Sequence, residues 1–144
     1  MSLKDGLKKM SKSEISDLSR INLTDDKDQI INKIKKAKTD TLPLPSTIDE
    51  LEKRPEAKNL IGIYSSLMNN TFQKTIDEFA GKNFSEFKEK LSDIVVNEIS
   101  PISLRIKELL NDKVFLEKIL KEGYEKANEI ASKKIKKIHE IVGF

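Results

Sequence analysis

The chain of 144 residues contains no cysteine, no tryptophan and only one histidine. Without cysteine, a disulfide framework, a cysteine-ligated metal site and a thiol nucleophile are all excluded. The single histidine, His139, is expected to be a surface side chain, because no second histidine or carboxylate cluster accompanies it. The sequence therefore predicts no metal site.

Long apolar runs are also missing from the chain. No stretch approaches the roughly 20 residues that a membrane-spanning helix needs, and residues 1–20 lack the apolar segment of a signal peptide. The absence of cysteine fits a reducing compartment. We therefore expect a cytoplasmic protein with no membrane partner.

Charge is plentiful but nearly balanced. Charged residues make up 35% of the chain and hydrophobic residues 37%, and the formal net charge is +3. This composition is typical of a soluble helical protein. So mild a basic excess permits contact with nucleic acid without arguing for it.

The hydrophobic pattern is helical through most of the chain, because apolar residues recur at spacings of three and four. Residues 1–23 show little periodicity and are predicted to be a loop, and the prolines within 41–47 exclude a helix there. Thr47 and Glu50 have the spacing of a capping box and could start a short helix. The longer predicted helices span residues 24–40, 54–69, 71–81, 84–110 and about 112–142. The predicted fold class is all-α, a helical bundle preceded by an irregular loop segment.

Several residues mark the predicted helix ends. Pro55 suits the first position of a helix, Gly81 is a natural stop, and Asn83 with Glu86 resembles another capping pair. Pro101 lies within the 84–110 pattern and should kink or split that helix.

The first predicted helix has aspartates at its start and lysines, including Lys33, towards its end. That order suits the helix dipole at both ends.

The last predicted helix carries a broad apolar stripe with lysines along one flank. Lys126, Lys133 and Lys137 share that flank, and such a row can follow the phosphates of RNA. A solvated flank balanced by Glu122 and Glu140 explains the same residues. The stripe consists of Leu116, Ile119, Leu120, Ala127, Ile130, Ala131, Ile135, Ile138 and Val142.

The chemistry-bearing segment is the short loop Lys9-Met10-Ser11-Lys12-Ser13. Lysine ammonium groups suit anionic oxygens, and serine hydroxyls add hydrogen bonds. Such a loop can close over a triphosphate and neutralise charge as pyrophosphate leaves. From residue types alone, a solvated loop remains the alternative.

Letter for letter, this loop is the KMSKS signature of class I aminoacyl-tRNA synthetases. The segments that follow resemble the tryptophanyl branch of that class, and the resemblance covers residues 4–144. The matching segments are "RINLTDDKDQIINKIKKAKTD", "EAKNLIGIYSSL", "EFAGKNFSEFKEKL", "NEISPI" and "EGYEKANEIASKKIKKIHEIVGF", the last ending at Gly143 and Phe144. Family members also carry a nucleotide-binding domain with a HIGH motif, which a chain with one histidine cannot contain. We therefore expect the C-terminal part of such an enzyme, inactive alone.

The resemblance implies roles for individual residues. Lys9 and Lys12 would be catalytic through contact with ATP phosphates, with Lys12 stabilising the transition state, and Met10, Ser11 and Ser13 would shape the ATP-binding loop. The full enzyme joins tryptophan to ATP and passes it to the tRNA. Magnesium would accompany ATP, bound mainly by phosphates, and no cofactor would bind to this part alone.

The resemblance also implies partners and domains. The partners would be tryptophan tRNA, ATP and tryptophan, and the full enzyme would be a homodimer. Residues 1–23 would be the loop segment from the end of the catalytic domain, with 1–3 interpreted as a tag remnant. Residues 24–144 would form the anticodon-binding domain, with Lys126, Lys133 and Lys137 contacting tRNA.

Two alternatives come from other functional classes. The chain could be a freestanding helical tRNA-binding module without catalysis, or a purely structural helical interaction protein. Neither explains an intact KMSKS signature.

Overall fold

The computed structural model describes residues 1–143, so Phe144 of the resembling C-terminus lies outside the described residues. Residues 1–26 contain one three-residue 3₁₀ helix, Asp17–Ser19, and an isolated bridge between Ser2 and Asp5. No β-strand forms within residues 1–143, which confirms the all-α prediction. The helices are α1 (Lys27–Lys35), α2 (Ile48–Glu52), α3 (Pro55–Leu67), α4 (Phe72–Phe79), α5 (Phe84–Asn111) and α6 (Lys113–Val142).

Contacts divide the chain into two compact units, Met1–Leu104 and Arg105–Phe144, and the division falls within α5. The domain boundary predicted after residue 23 lies inside the first unit. Residues 1–3, interpreted from sequence as a tag remnant, pack into that unit, because Leu3 is only 2% exposed.

Local hydrogen bonds fix where the first two helices begin. The Asp26 side chain accepts from the Gln29 amide while the Gln29 side chain accepts from the Asp26 amide, so α1 starts at Lys27 rather than at residue 24. At α2, Thr47 accepts from the Glu50 amide at 3.2 Å, as predicted. The Glu50 carboxylate accepts from the Ser46 amide instead of the Thr47 amide. The return bond of the predicted capping box is therefore shifted by one residue.

The other predicted end signals lie at helix ends. Pro55 is the first residue of α3, Asn83 accepts from the Glu86 amide at 2.9 Å, and Gly81 has a φ of +70° just after α4. A positive φ is a conformation that glycine adopts without the penalty of a Cβ. Helix α5 continues through Pro101, so the chain is not split there.

The hydrophobic core lies in the first unit and is built around three aromatic rings. Phe79 lies edge-on to Tyr64 and to Phe87, with ring centroids 5.0 and 4.9 Å apart. The Tyr64 hydroxyl donates to Glu78 Oε1 at 3.0 Å. Burial, and then this bond, raise the pKa of Tyr64 to about 12. Aliphatic residues complete the core, including Ile30, Ile34, Leu44, Leu51, Leu60, Ile61, Ile76 and Leu91.

A buried lysine from α5 holds the chain just after α1. Lys88 Nζ donates to the Ala37 carbonyl at 2.6 Å, and to the Lys35 carbonyl and Thr39 Oγ1 at 3.3 Å. Burial lowers the pKa of Lys88. Its ammonium satisfies carbonyls at the end of α1, where a positive charge is favourable.

Helix α6 forms over the predicted residues, but none of its described residues is buried. Stripe residues such as Ile130 and Ile135 are 73% and 53% exposed. The periodicity predicted the position of this helix correctly, although its apolar stripe is exposed. Across the described part of the chain, no helix combines the length and the apolar character needed to cross a membrane.

Replacing Phe87 with alanine tests the aromatic core. Phe87 is fully buried and packs against the rings of both Tyr64 and Phe79, so Phe87→Ala should lower the free energy of unfolding by about 3–5 kcal/mol. Urea unfolding followed by circular dichroism measures this. The control is Phe72→Ala, since Phe72 is 39% exposed. Equal losses in the two variants would contradict this account of the core.

Candidate functional site: the Lys9–Ser13 loop and its base

The Lys9–Ser13 loop projects its lysines into solvent. Lys9 and Lys12 are exposed, and in the described part of the chain neither has an ion-pair partner. Ser11 organises the turn, since its Oγ lies 3.0 Å from Ser13 Oγ and accepts from the Ser13 amide at 3.3 Å. Two cations on an exposed turn are available to an anionic ligand.

The segment that leads into the loop, residues 2–8, packs within the first unit and is here called the incoming side. The Leu3 amide donates to the Ser19 carbonyl at 2.9 Å, and the Lys38 amide donates to the Leu3 carbonyl at 2.7 Å. The Ser2 amide donates to the Lys8 carbonyl at 2.8 Å, which curls residues 2–8 into a compact turn. The incoming segment is therefore tied both to the outgoing segment and to the chain after α1.

Gly6 lies where this turn meets the start of α3. A Cβ at Gly6 would lie 2.5 Å from the Pro55 carbonyl oxygen and 2.6 Å from the Glu56 nitrogen. Both neighbours are backbone atoms, which a side-chain rotation cannot move away. Close backbone approach of this kind requires glycine.

The outgoing side of the loop is held by a set of polar contacts, here called the anchor network: Asp17, Arg20, Asn22, Asp25 and Lys33. Arg20 Nη1 donates to the Glu14 carbonyl at 3.0 Å, and Arg20 Nη2 lies 3.1 Å from Asp17 Oδ1. Lys33 Nζ lies 2.5 Å from Asp17 Oδ2 and 2.6 Å from Asp25 Oδ2. The network therefore connects Glu14, the residue after the loop, to the last turn of α1.

Burial differs sharply within the anchor network. The side chains of Lys33 and Asp25 are 4% and 5% exposed, whereas that of Asp17 is 54% exposed. The hydrogen bond from Lys33, and then one from Asn22, lower the pKa of Asp17. Asn22 Nδ2 donates to both Asp17 and Asp25, at 2.9 and 3.2 Å.

Sequence reasoning missed the anchor network. It treated Lys33 as one of several lysines that suit the end of α1, but the structure buries Lys33 beside two carboxylates. The available signal was position: Lys33 follows Ile30 by three residues and precedes Ile34, so it shares the core-facing side of α1. No pattern pointed to its partners in residues 17–25.

The three flank lysines lie on the exposed surface of α6, in the second unit, whereas the loop belongs to the first. Lys133 Nζ lies 2.6 Å from Glu129 Oε1, an i,i+4 pair that leaves both side chains largely exposed. The carboxylate that pairs with Lys133 is therefore that of Glu129, and not that of Glu122 or Glu140. Tyr124, on the same helix, is 67% exposed.

Three comparisons with known proteins bear on this site. The family model for class I tRNA synthetases (W and Y) matches residues 1–99. A tryptophan–tRNA ligase of Rhizobium meliloti is 49% identical over all 144 residues of the chain, and one of Agrobacterium fabrum is 50% identical over the same length. A tryptophan–tRNA ligase of Rickettsia felis is 51% identical.

The chain spans 41% of the length of the first two of these relatives. Among solved structures, tryptophanyl-tRNA synthetase from Mycoplasma pneumoniae matches with a TM-score of 0.78. That match covers the whole of this chain and 43% of the solved one, at 22% identity. It shows that the helical fold is shared.

Replacing Gly6 with alanine tests how the loop base is packed. The new methyl group would overlap the backbone of Pro55 and Glu56, so Gly6→Ala should lower the free energy of unfolding by about 1–3 kcal/mol. Hydrogen exchange at residues 2–8 should become faster in the same variant.

The matched control is Gly62→Ala within α3. A Cβ there would make only an ordinary contact, 3.5 Å from the Phe72 ring, so the change should be neutral or stabilise by up to about 1 kcal/mol. Unchanged stability and exchange in Gly6→Ala would show that residues 2–8 are not packed against α3.

Proposed function

The chain belongs to the class I tRNA synthetases of the W and Y type, and on that premise we propose that it forms the loop-bearing helical part of a tryptophan–tRNA ligase. The complete enzyme would activate tryptophan with ATP and then transfer it to tryptophan tRNA. Choosing tryptophan over tyrosine rests on the ligases that are about half identical over the whole chain. The observation that carries the proposal is the exposed Lys9–Ser13 loop on a base held at both ends.

In activation, a carboxylate oxygen of tryptophan attacks the α-phosphorus of ATP, and the bond to the pyrophosphate oxygen breaks. Charge then accumulates on the departing pyrophosphate. Lys9 and Lys12 would neutralise it, with Lys12 acting mainly in the transition state. Met10, Ser11 and Ser13 would shape the turn that presents both ammonium groups.

Magnesium would accompany ATP on its phosphate oxygens. Within residues 1–143, no group of three or more histidine, aspartate or glutamate side chains is placed to hold a metal ion. The contribution of this chain to binding the phosphates would be the pair of loop lysines, Lys9 and Lys12.

The helices would contact tryptophan tRNA, with Lys126, Lys133 and Lys137 following its phosphates. Their exposure on one helix supports this role. The ion pair between Lys133 and Glu129 is solvent-exposed, so a phosphate could replace the carboxylate. We also propose a homodimer acting in the cytoplasm, as the resemblance implies. Residues 24–144 as an anticodon-binding domain remain part of the same proposal.

Replacing Lys12 with alanine tests the catalytic role of the loop. In a complete ligase containing this chain, Lys12→Ala should lower the rate of tryptophan-dependent ATP–pyrophosphate exchange about 100-fold, because one charged transition-state contact is lost. The control is Lys4→Ala, an exposed lysine of the same segment outside the signature. Equal rates in the two variants would contradict the role given to Lys12.

Replacing Lys126, Lys133 and Lys137 together with alanine tests the tRNA contact. Binding of this chain to tryptophan tRNA is measured over a salt series, beside the same tRNA with an altered anticodon. If each lysine neutralises one phosphate, the slope of log affinity against log salt should become shallower by about 2–3.

The control for this experiment replaces Lys113, Lys118 and Lys121 on the same helix, with the same change in charge. Equal slopes in the two triple variants would count against the flank as a specific contact. A native-anticodon preference in the unmodified chain would support anticodon recognition by its helices. Binding without catalysis in the complete protein would favour the freestanding tRNA-binding module instead.

A further inference from the structure

We propose that Asp17 is a positioning residue for the Lys9–Ser13 loop, because it joins Arg20, which holds the end of the loop, to Lys33, which is buried in α1. This inference rests on the proposed function of the loop and assigns the residue that fixes its outgoing side. The catalytic contacts stay with Lys9 and Lys12. Asp17 acts on them only through the backbone.

The contacts form a continuous chain from the loop to α1. The carbonyl of Glu14, the residue after Ser13, accepts from Arg20 Nη1 at 3.0 Å. The same guanidinium pairs with Asp17 through Nη2, and the other Asp17 oxygen binds Lys33 Nζ. Arg20 Nε also donates to Asn22 Oδ1 at 3.2 Å. The outgoing end of the loop is therefore held through Asp17 together with Asn22, and of these two only Asp17 joins Arg20 directly to Lys33.

Charge balance separates Asp17 from the rest of the anchor network. Lys33 is already neutralised by Asp25, which is almost as fully buried as Lys33 itself. One buried carboxylate balances the charge of one buried ammonium, so Asp17 is not required for neutrality inside the fold. Asp17 is also half-exposed, and its loss would leave a hydrated surface instead of an unpaired buried charge.

The incoming side of the loop is held independently of Asp17. Leu3 is buried and bonds to Ser19 and Lys38, and Gly6 lies against the start of α3. Lys8 and Glu14 also lie 4.0 Å apart as an ion pair, but Lys8 is largely exposed and Glu14 partly so. A solvent-accessible pair of this kind contributes little. Removing Asp17 should therefore loosen the segment between Ser13 and Ser19, whose carbonyl stays bonded to Leu3, and leave residues 2–8 in place.

A loop held on one side samples more orientations than a loop held on both. Placing charged groups correctly before reaction supplies a large share of catalysis, and small displacements can reduce rates by up to about 100-fold. The expected defect is therefore one of rate, because the contacts between the lysines and ATP remain chemically intact.

The test uses Asp17→Asn, which keeps the size of the side chain and removes its charge. The control is Asp93→Asn, an exposed carboxylate on α5 in the same unit. In this chain, hydrogen exchange at residues 11–16 should become about tenfold faster in Asp17→Asn, with the midpoint of urea unfolding nearly unchanged. The control should match the unmodified chain in both measurements.

The second readout is ATP–pyrophosphate exchange by a complete ligase that contains the chain. Asp17→Asn should lower kcat about tenfold with little change in the KM for tryptophan. Arg20→Gln should cause a defect at least as large, and the double variant should be no worse than Arg20→Gln alone, since Asp17 acts on the loop through Arg20. Asp17→Glu should restore part of the rate.

The outcomes separate this inference from the proposed function. Unchanged hydrogen exchange at residues 11–16 in Asp17→Asn would overturn the positioning role, whatever the activity of the ligase. Faster hydrogen exchange with an unchanged kcat in an active ligase would also overturn the positioning role, and the proposed function would stand. If the unmodified ligase lacks tryptophan-dependent ATP–pyrophosphate exchange, the proposed function fails, and the positioning role in catalysis fails with it.

Discussion

The buried pair between Lys33 and Asp25 is the interaction on which the first part of the fold depends. Two opposite charges that are almost fully removed from water, 2.6 Å apart, remain stable only together. Breaking such a pair by losing one partner typically costs about 3–5 kcal/mol. Because Asp25 precedes α1 and Lys33 lies within it, the pair joins the loop-bearing segment to the helical unit.

Helix α1 links the core to the candidate site. Ile30 and Ile34 pack in the hydrophobic core, and Lys33 lies beside them on the same helix. At the C-terminal end of α1, Lys88 of α5 donates to the carbonyl of Lys35 in the last turn and to that of Ala37 just beyond it. The position of the loop base is therefore set by the same packing that stabilises the first unit. The loop lysines themselves remain free of those contacts.

The sequence predicted much of the fold because its signals are local. Periodicity and end signals such as Pro55, Gly81 and Asn83 depend on neighbouring residues. The helices form close to the predicted positions, except that α1 spans Lys27–Lys35 instead of the predicted 24–40. The loop was also readable, as its five residues are contiguous. The anchor network was not, because Lys33 and its carboxylates belong to segments whose approach depends on tertiary packing. The exposure of α6 was likewise invisible, since an amphipathic pattern does not reveal what covers it.

The enclosure of Lys33 has a consequence for comparing sequences in this family. An exchange between lysine and arginine is usually scored as conservative, and on the flank of α6 that scoring is reasonable. Inside a pocket shaped for a compact ammonium between two carboxylates, a planar guanidinium is larger and needs a different geometry. In a chain with 27 lysine and arginine residues, the same substitution thus has opposite meanings at different positions, and uniform substitution scores will misjudge divergence in the loop-bearing segment.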